Sequence, residues 1–263
     1  MAGLLVRGAM RAMLVVVGVL LVTVPAEPAE AGGFERKQRQ YERVRDAFDA
    51  HLDDMKKAFA RERAAWPPRD IFLRVFKLDS VIELWAAKDG GKANGPRVLV
   101  QRFPICAKSG ELGPKSRAGD GQVPEGFYTI NRFNPRSSYH LSLGLDYPNA
   151  VDLVRADGAA PGGDIFIHGN CVTIGCMPIQ DGPVESLYLV AVLAKDGGQK
   201  SIPVHVFPFH FGAAEAAPYM RGASPELAAF WSVLEQGYRA FEATQVPPKV
   251  RATAKGYVFP ASR

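Results

Sequence analysis

Between residues 34 and 66, apolar and aromatic side chains fall at Phe34, Tyr41, Val44, Phe48, Leu52, Met55 and Phe59, mostly three, four or seven residues apart amid dense charge. That is the spacing of one helix face, and it predicts a long amphipathic helix, ended by Trp66-Pro67-Pro68, whose apolar stripe packs on a neighbouring domain. The period then changes. Residues 71–77, 81–86 and 97–105 are short β-rich runs separated by Asp79-Ser80 and Asp89-Gly90-Gly91, and they predict consecutive antiparallel strands. Residues 106–126, rich in Gly, Pro, Lys and Asp, read as a long loop of the kind that is often functional. A second strand pair follows at 126–131 and 139–145, leading through Tyr147-Pro148-Asn149 towards a buried run at Ile165-Phe166-Ile167. Helical spacing returns at 183–195, ended by Gly197-Gly198, then a buried strand at 202–207, and a last helical region at 213–243. The apolar face of that region holds Leu227, Phe230, Trp231, Leu234, Tyr238 and Phe241. No internal repeat is evident.

Composition adds a compartment. The 263 residues are 47% hydrophobic and 22% charged, an ordinary globular balance. Arg7 and Arg11 precede an apolar run from 13 to 24, and Ala29-Glu30-Ala31 supplies small residues before Gly32, so residues 1–31 read as a signal peptide. The apolar run is short of the roughly 20 residues that a membrane span needs, so no stable membrane insertion is expected after cleavage. No cysteine follows the run, and a lipid anchor is not indicated. The net charge of +5 is the same with or without the leader and suits work against an anionic polymer. No basic run with interleaved aromatics is present, which argues against nucleic acid.

The chemistry concentrates in residues 164–179. A strand delivers His168, a short polar turn follows, and a small-residue step delivers Cys176. An imidazole beside a thiol makes a strong nucleophile, since it takes the thiol proton. Gly175 before the cysteine permits backbone angles closed to other residues, and amides around Gly175 and Cys176 are placed to stabilise an oxyanion. Zinc is the competing chemistry, but His168, Cys171 and Cys176 lack the close Cys-x2-Cys pairing of such sites. No phosphate loop or nucleotide fingerprint appears, so no cofactor is expected. Three cysteines allow two arrangements of interest: Cys106 with Cys171 leaves Cys176 free, whereas Cys171 with Cys176 silences it.

His168-Gly169 followed by Thr173-Ile174-Gly175-Cys176 resembles the signature of the YkuD-type L,D-transpeptidase catalytic domain. The short His-to-Cys spacing, Cys171 and the Cys-Met-Pro ending are most similar to its YafK-like branch. Segments 103–115, 119–128 and 139–149 support the likeness, which runs from about residue 70 to the C-terminus. The resemblance implies a mainly β core with flanking helices, an α+β fold, and divides the chain into a signal peptide (1–31), a helical segment (32–68), a catalytic domain (69–212) and a helical extension (213–263). It implies Cys176 as nucleophile, His168 as base, and the Gly169 carbonyl as the group that orients the imidazole. Thr173 matches the family's Ser/Thr position, and its alternative is a local cap. His140, Tyr147 and Asn149 are candidate substrate contacts whose alternatives are structural. Arg132, Arg136 and Lys115 flank the site and suit the carboxylates of a peptide.

The implied substrate is the peptidoglycan stem peptide at meso-diaminopimelate, attacked through a thioester. Met177-Pro178-Ile179 stands where many members carry Arg or Asn, and this ending is shared with the branch associated with hydrolysis that releases wall-bound lipoprotein. Hydrolysis is therefore the leading expectation. Transpeptidation, forming 3-3 cross-links or attaching protein to the wall, is the second. A wall-binding module locked by a Cys171–Cys176 disulfide is the third.

Overall fold

The computed structural model describes residues 33–91, 95–156 and 158–260, together with Gly3. The leader read at 1–31 thus lies outside the described residues. Helices α1 (Gly33–Gln38) and α2 (Glu42–Arg61) come first. They are two pieces where the periodicity predicts one, because Tyr41 adopts an extended conformation and starts α2 afresh. Asp196 caps α1 from elsewhere in the chain, accepting from the Phe34 and Glu35 amides at 2.8 and 3.0 Å. The helix also ends before the prolines. Beyond Arg61 the chain turns through Arg63 at φ 55°, and the Ala65 amide already bonds the Ala87 carbonyl.

The apolar runs that follow build one curled sheet. Strands β1 (Ile71–Phe76), β2 (Val81–Ala87) and β3 (Arg97–Pro104) are consecutive and antiparallel. Next come β4 (Gly126–Asn134), β5 (Ser142–Leu145), helix α3 (Ala150–Arg155), β6 (Phe166–His168), the two-residue β7 (Met177–Pro178), helix α4 (Asp181–Asp196) and β8 (Pro203–Phe207). Among the described residues the strand order is β3-β2-β1-β8-β4-β5-β6-β7. Pairing is antiparallel except for β1 with β8 and β6 with β7. Strand β4 belongs to both halves: its first residues pair with β8 and its last with β5, across a bulge between Ile130 and Arg132. A bulge of this kind bends a strand and strengthens its twist, which curls the sheet.

Both faces of the sheet are covered, and β1 shows it. Ile71, Leu73 and Val75 face a core that includes Val44, Phe48 and Phe59 of α2 and Leu187 and Val190 of α4. The alternate residues Phe72, Arg74 and Phe76 face the C-terminal part, where helices α5 (Ala217–Gly222) and α6 (Pro225–Thr244) and a hairpin of β9 (Arg251–Thr253) and β10 (Gly256–Val258) lie. A strand buried on both faces reads as a continuous apolar run. Arg74 interrupts it without cost to the fold because Glu83 accepts from its Nη2 at 2.7 Å and Glu242 from its Nη1 at 2.5 Å, under the rings of Trp85 and Phe241. The single helix expected at 213–243 is broken before α6. Ser224 stays extended ahead of Pro225 and accepts from the Leu227 amide, which opens a new helix with Pro at its first position.

Helix α3 grows out of the Tyr147-Pro148-Asn149 turn. Asn149 caps it, accepting from the Val151 and Asp152 amides, while Asp152 accepts from the Asn149 amide at 2.8 Å. Burial pushes the Asp152 pKa up to about 6, against the lowering influence of the bonds it accepts from the Asn149 amide and from the Tyr128 hydroxyl, the latter at 2.9 Å. A folded-state pKa raised above the unfolded value is a stability contribution present in full at acid pH and lost as pH rises through the folded value. The Asp152→Asn variant keeps an acceptor for the Asn149 amide and meets the Tyr128 oxygen with its own NH2. It should be more stable than the parent at pH 7.5, on the order of 2 kcal/mol, and lose that advantage at pH 4. Denaturant titrations at the two pH values check this, and a difference independent of pH would refute the titration of Asp152.

Candidate active site

Strand β6 and the two residues of β7 lie parallel, with Ile167 opposite Met177 and His168 opposite Pro178. Cys176 immediately precedes that pairing, so continuing the register sets it opposite Phe166, two residues from His168. Side chains alternate along a strand, which puts Cys176 and His168 on one face of the sheet. Both line a cavity of about 360 Å³, together with Tyr139, Ser142, Asp164 and Phe166. Cys176 also borders a second, smaller cavity of about 150 Å³, walled by Lys77, Ile105, Leu112 and Met177. Cys176 therefore lies between two cavities.

The turn between the two residues is built from small side chains and local hydrogen bonds. Gly175 has φ 129°, a region that favours glycine, and a Cβ there would stand 3.0 Å from the Gln122 carbonyl oxygen of the long loop. Gly169 is required for space, since a Cβ would meet Asp181 Oδ1 at 2.5 Å and the Tyr139 carbonyl at 3.0 Å. Thr173 Oγ1 accepts from the Gly175 amide at 3.2 Å and from the Cys176 amide at 2.8 Å, and donates to the Cys176 carbonyl at 2.8 Å. The amides assigned to an oxyanion by sequence are thus already engaged by Thr173, and an oxyanion has to share them.

Cys171, in the same turn, is disulfide-bonded to Cys106 across 65 residues of sequence, with the Cα atoms 5.5 Å apart. Cys176 is the free cysteine. The Cys171–Cys176 lock is accordingly not the arrangement adopted. The bond ties the start of the 106–125 loop to the active turn, and the Cys106 amide reinforces it by donating to the Pro178 carbonyl at 2.9 Å.

The electrostatics of the pair follow from burial. His168 is buried, which lowers its pKa, and the Gly169 carbonyl 2.5 Å from Nδ1 works in the opposite direction. A carbonyl only accepts, so Nδ1 carries the proton and Nε2 is the basic nitrogen. Burial pushes the Cys176 thiol up, against the lowering influence of the Phe166 backbone and Lys115. Its Sγ donates to the Asp164 carbonyl at 3.5 Å. Both shifts favour the uncharged forms, the thiol of Cys176 and the neutral imidazole of His168.

The other residues singled out by sequence divide. Arg132 contacts two residues of the cavity wall, with Nη1 3.0 Å from Asp164 Oδ1 and its guanidinium 5.4 Å from the centre of the Phe166 ring. Lys115 is buried and donates to Asp120 Oδ1 at 2.5 Å and to the Arg117 carbonyl, while Arg136 lies over the Tyr41 ring. His140, Tyr147 and Asn149 are not brought to the cavity. The His140 Nε2 meets Glu185 Oε1 at 2.5 Å, the Tyr147 hydroxyl donates to the Pro161 carbonyl, and Asn149 caps α3. Sequence reasoning passed over Tyr139, whose ring lies 4.7 Å from that of His168, and Asp181, which accepts from the Asn170 amide at 2.8 Å. Tyr139 adjoins His140, where the motif was legible but the chemistry was given to the imidazole.

The mainly β sheet with helices on both faces and this His-turn-Cys geometry define the class: the chain belongs to the YkuD-type L,D-transpeptidase family. Within that family it is 33% identical over 190 residues to "Putative L,D-transpeptidase YafK" of Escherichia coli strain K12, covering 72% of this chain and 73% of the relative. The same figures hold for the protein of that name in Escherichia coli O157:H7. No family model matches the chain. Among solved structures it is similar to the helical cell shape determining protein Pgp2 of Campylobacter jejuni (TM-score 0.41, 18% identity, 75% of this chain and 78% of that one). L,D-transpeptidase 1 of Mycobacterium tuberculosis is more distant (TM-score 0.29, 12% identity, 54% and 73%).

Two outcomes are expected. Thiol titration of the unfolded protein without reductant should find one reactive cysteine, Cys176, and with reductant three. In the native protein, alkylation of Cys176 by iodoacetamide should climb with a midpoint above 9, because burial disfavours the thiolate. A midpoint near 6 would instead reveal a preformed thiolate–imidazolium pair.

Proposed function

We propose that this protein is an exported cysteine enzyme that cleaves peptidoglycan stem peptides at meso-diaminopimelate through a Cys176 thioester. The observation that carries the reading is the free Cys176 thiol sharing one cavity with His168, whose Nδ1 is fixed by the Gly169 carbonyl. In the first step His168 Nε2 takes the thiol proton as Sγ attacks the carbonyl carbon. The tetrahedral intermediate then collapses, the C–N bond breaks, and His168 returns the proton to the departing amine. Water, activated by the same imidazole, next attacks the thioester and restores the thiol.

Arg132, in contact with the cavity wall, is the group proposed to take a substrate carboxylate, exchanging its exposed contact with Asp164 for the ligand. Met177 and Pro178 follow Cys176 in place of a cationic side chain, which leaves that task to another residue. A wall-bound lipoprotein is the proposed partner in the hydrolytic reaction, and residues 1–31 are the proposed export signal. No helix among the described residues is long and apolar enough to cross a membrane.

The second reading, transpeptidation, is favoured by one observation: Cys176 borders two cavities, enough for an acyl donor on one side and an amine acceptor on the other. It shares every step up to the thioester, after which an amine takes the place of water. Mass spectrometry of cell-wall digests, with and without bound lipoprotein, separates the readings. Release of stem peptides or protein tails by the native protein, and not by Cys176→Ala, is expected. New cross-linked dimers would replace hydrolysis by transpeptidation. Digests that the native protein leaves as the variant does would remove both.

A further inference from the structure

The polar face of α2 does something that its apolar stripe does not require. Arg43 Nη1 donates to the Ser137 carbonyl at 2.7 Å and to the His140 carbonyl at 2.8 Å. Eight residues along the same helix, His51 Nε2 lies 2.7 Å from Glu185 Oε2 of α4, and the other oxygen of that carboxylate lies 2.5 Å from His140 Nε2. Two helices therefore grip one short loop, 137–140, by two of its backbone carbonyls and one of its side chains.

That loop is a wall of the active site. Ser137, Ser138 and Tyr139 line the cavity that holds Cys176 and His168, and the Tyr139 ring leans over the His168 imidazole, 4.7 Å between centres and 32° between planes. The backbone behind it fits Gly169 closely, as a Cβ on Gly169 would touch both the Tyr139 carbonyl and His140 Cβ at 3.0 Å. His140 itself has φ 68°, a conformation rarely adopted by residues other than Gly and held here by contacts on both sides. Helix, loop and imidazole form a continuous chain of contacts.

We propose that Arg43 and the His51–Glu185–His140 bridge are positioning groups for the acyl-transfer reaction, holding Tyr139 against His168 so that the imidazole stays oriented towards Cys176. The N-terminal helical segment is then a working part of the active site. This rests on the reading of Cys176 and His168 as nucleophile and base, yet it can be tested without any wall substrate. The titratable groups sharing the cavity with His168 are Tyr139, Asp164 and Cys176, with Asp181 behind Gly169. None of these belongs to the grip, so a change transmitted from Arg43 must pass through the loop.

The probe is p-nitrophenyl acetate, an acylating ester. Attack by Sγ forms the acetyl thioester and expels p-nitrophenolate, giving a burst that Cys176→Ala lacks. Arg43→Ala and Tyr139→Ala should each slow the burst about tenfold, a part of the roughly 10²–10⁴-fold that a positioned general base contributes. Each should also move the acid limb of its pH profile up towards 6.5, since water then reaches an imidazole whose pKa burial had lowered. Together they should be no worse than either alone, because both act through the same ring. Arg43→Lys, which keeps the charge and a donor nitrogen on a shorter side chain, should recover part of the rate, and Glu185→Gln should lie between parent and Arg43→Ala.

Additive losses, or variants that lower the melting temperature while leaving burst rate and pH profile unchanged, would overturn the proposal. A parent protein that gives no Cys176-dependent burst would instead overturn the reading on which the proposal rests. Inactivity towards wall digests with a normal burst would change the substrate and leave the positioning role standing.

Discussion

The site depends on a parallel pairing only two residues long. Strand β7 contributes Met177 and Pro178, the Ile179 amide returns to the His168 carbonyl at 2.9 Å, and the Cys106 amide reaches the Pro178 carbonyl from the other side. Parallel strands ordinarily need a crossover of a dozen residues or more. Here eight residues separate the end of β6 from the start of β7, and they manage it with Asn170 at φ 57°, Gly175 at φ 129° and a disulfide at Cys171. The pairing is too short to hold itself, and the neighbouring loop and α4 supply what it lacks.

That constraint explains the electrostatics. A turn satisfied by its own side chains has few amides to spare, and the Thr173 hydroxyl takes those of Gly175 and Cys176. At Cys176 burial outweighs the Phe166 backbone hydrogen bond and the Lys115 charge, and the thiol pKa is raised. The same burial lowers His168, leaving Nε2 free to accept a proton at neutral pH. Both shifts oppose the separated charges of a resting ion pair.

Much of this was legible in the residues. The alternation of helical and strand periods marked α2, α4, α6 and most of the sheet, since those elements bury a defined face and the pattern records it. The breaks inside the helical stretches were less visible, because a chain that turns at Tyr41 or Ser224 keeps its apolar spacing while changing direction. At the site, the strand-end histidine and Gly-Cys step announced themselves through residue type and spacing. The place of His140 did not. A histidine beside a tyrosine on a predicted strand reads as a pocket residue, and only the left-handed backbone at His140 turns the imidazole to Glu185 and leaves Tyr139 facing His168. The pairing of Cys106 with Cys171 was equally closed to sequence, as either arrangement satisfies the count.

The two walls of the cavity are anchored by different parts of the molecule. The wall that carries Cys176 is fixed covalently, through Cys171, to the loop running from Cys106 towards β4. The wall that carries Tyr139 is fixed by hydrogen bonds to α2 and α4. Contacts of the second kind exchange with water at modest cost, and loops held by them open locally more readily than cross-linked ones. The grip of α2 and α4 is therefore what keeps the Tyr139 ring 4.7 Å from that of His168, whereas Cys176 keeps its place through the cross-linked turn. Such a division makes the cysteine wall depend on one covalent bond and the tyrosine wall on the N-terminal and central helices.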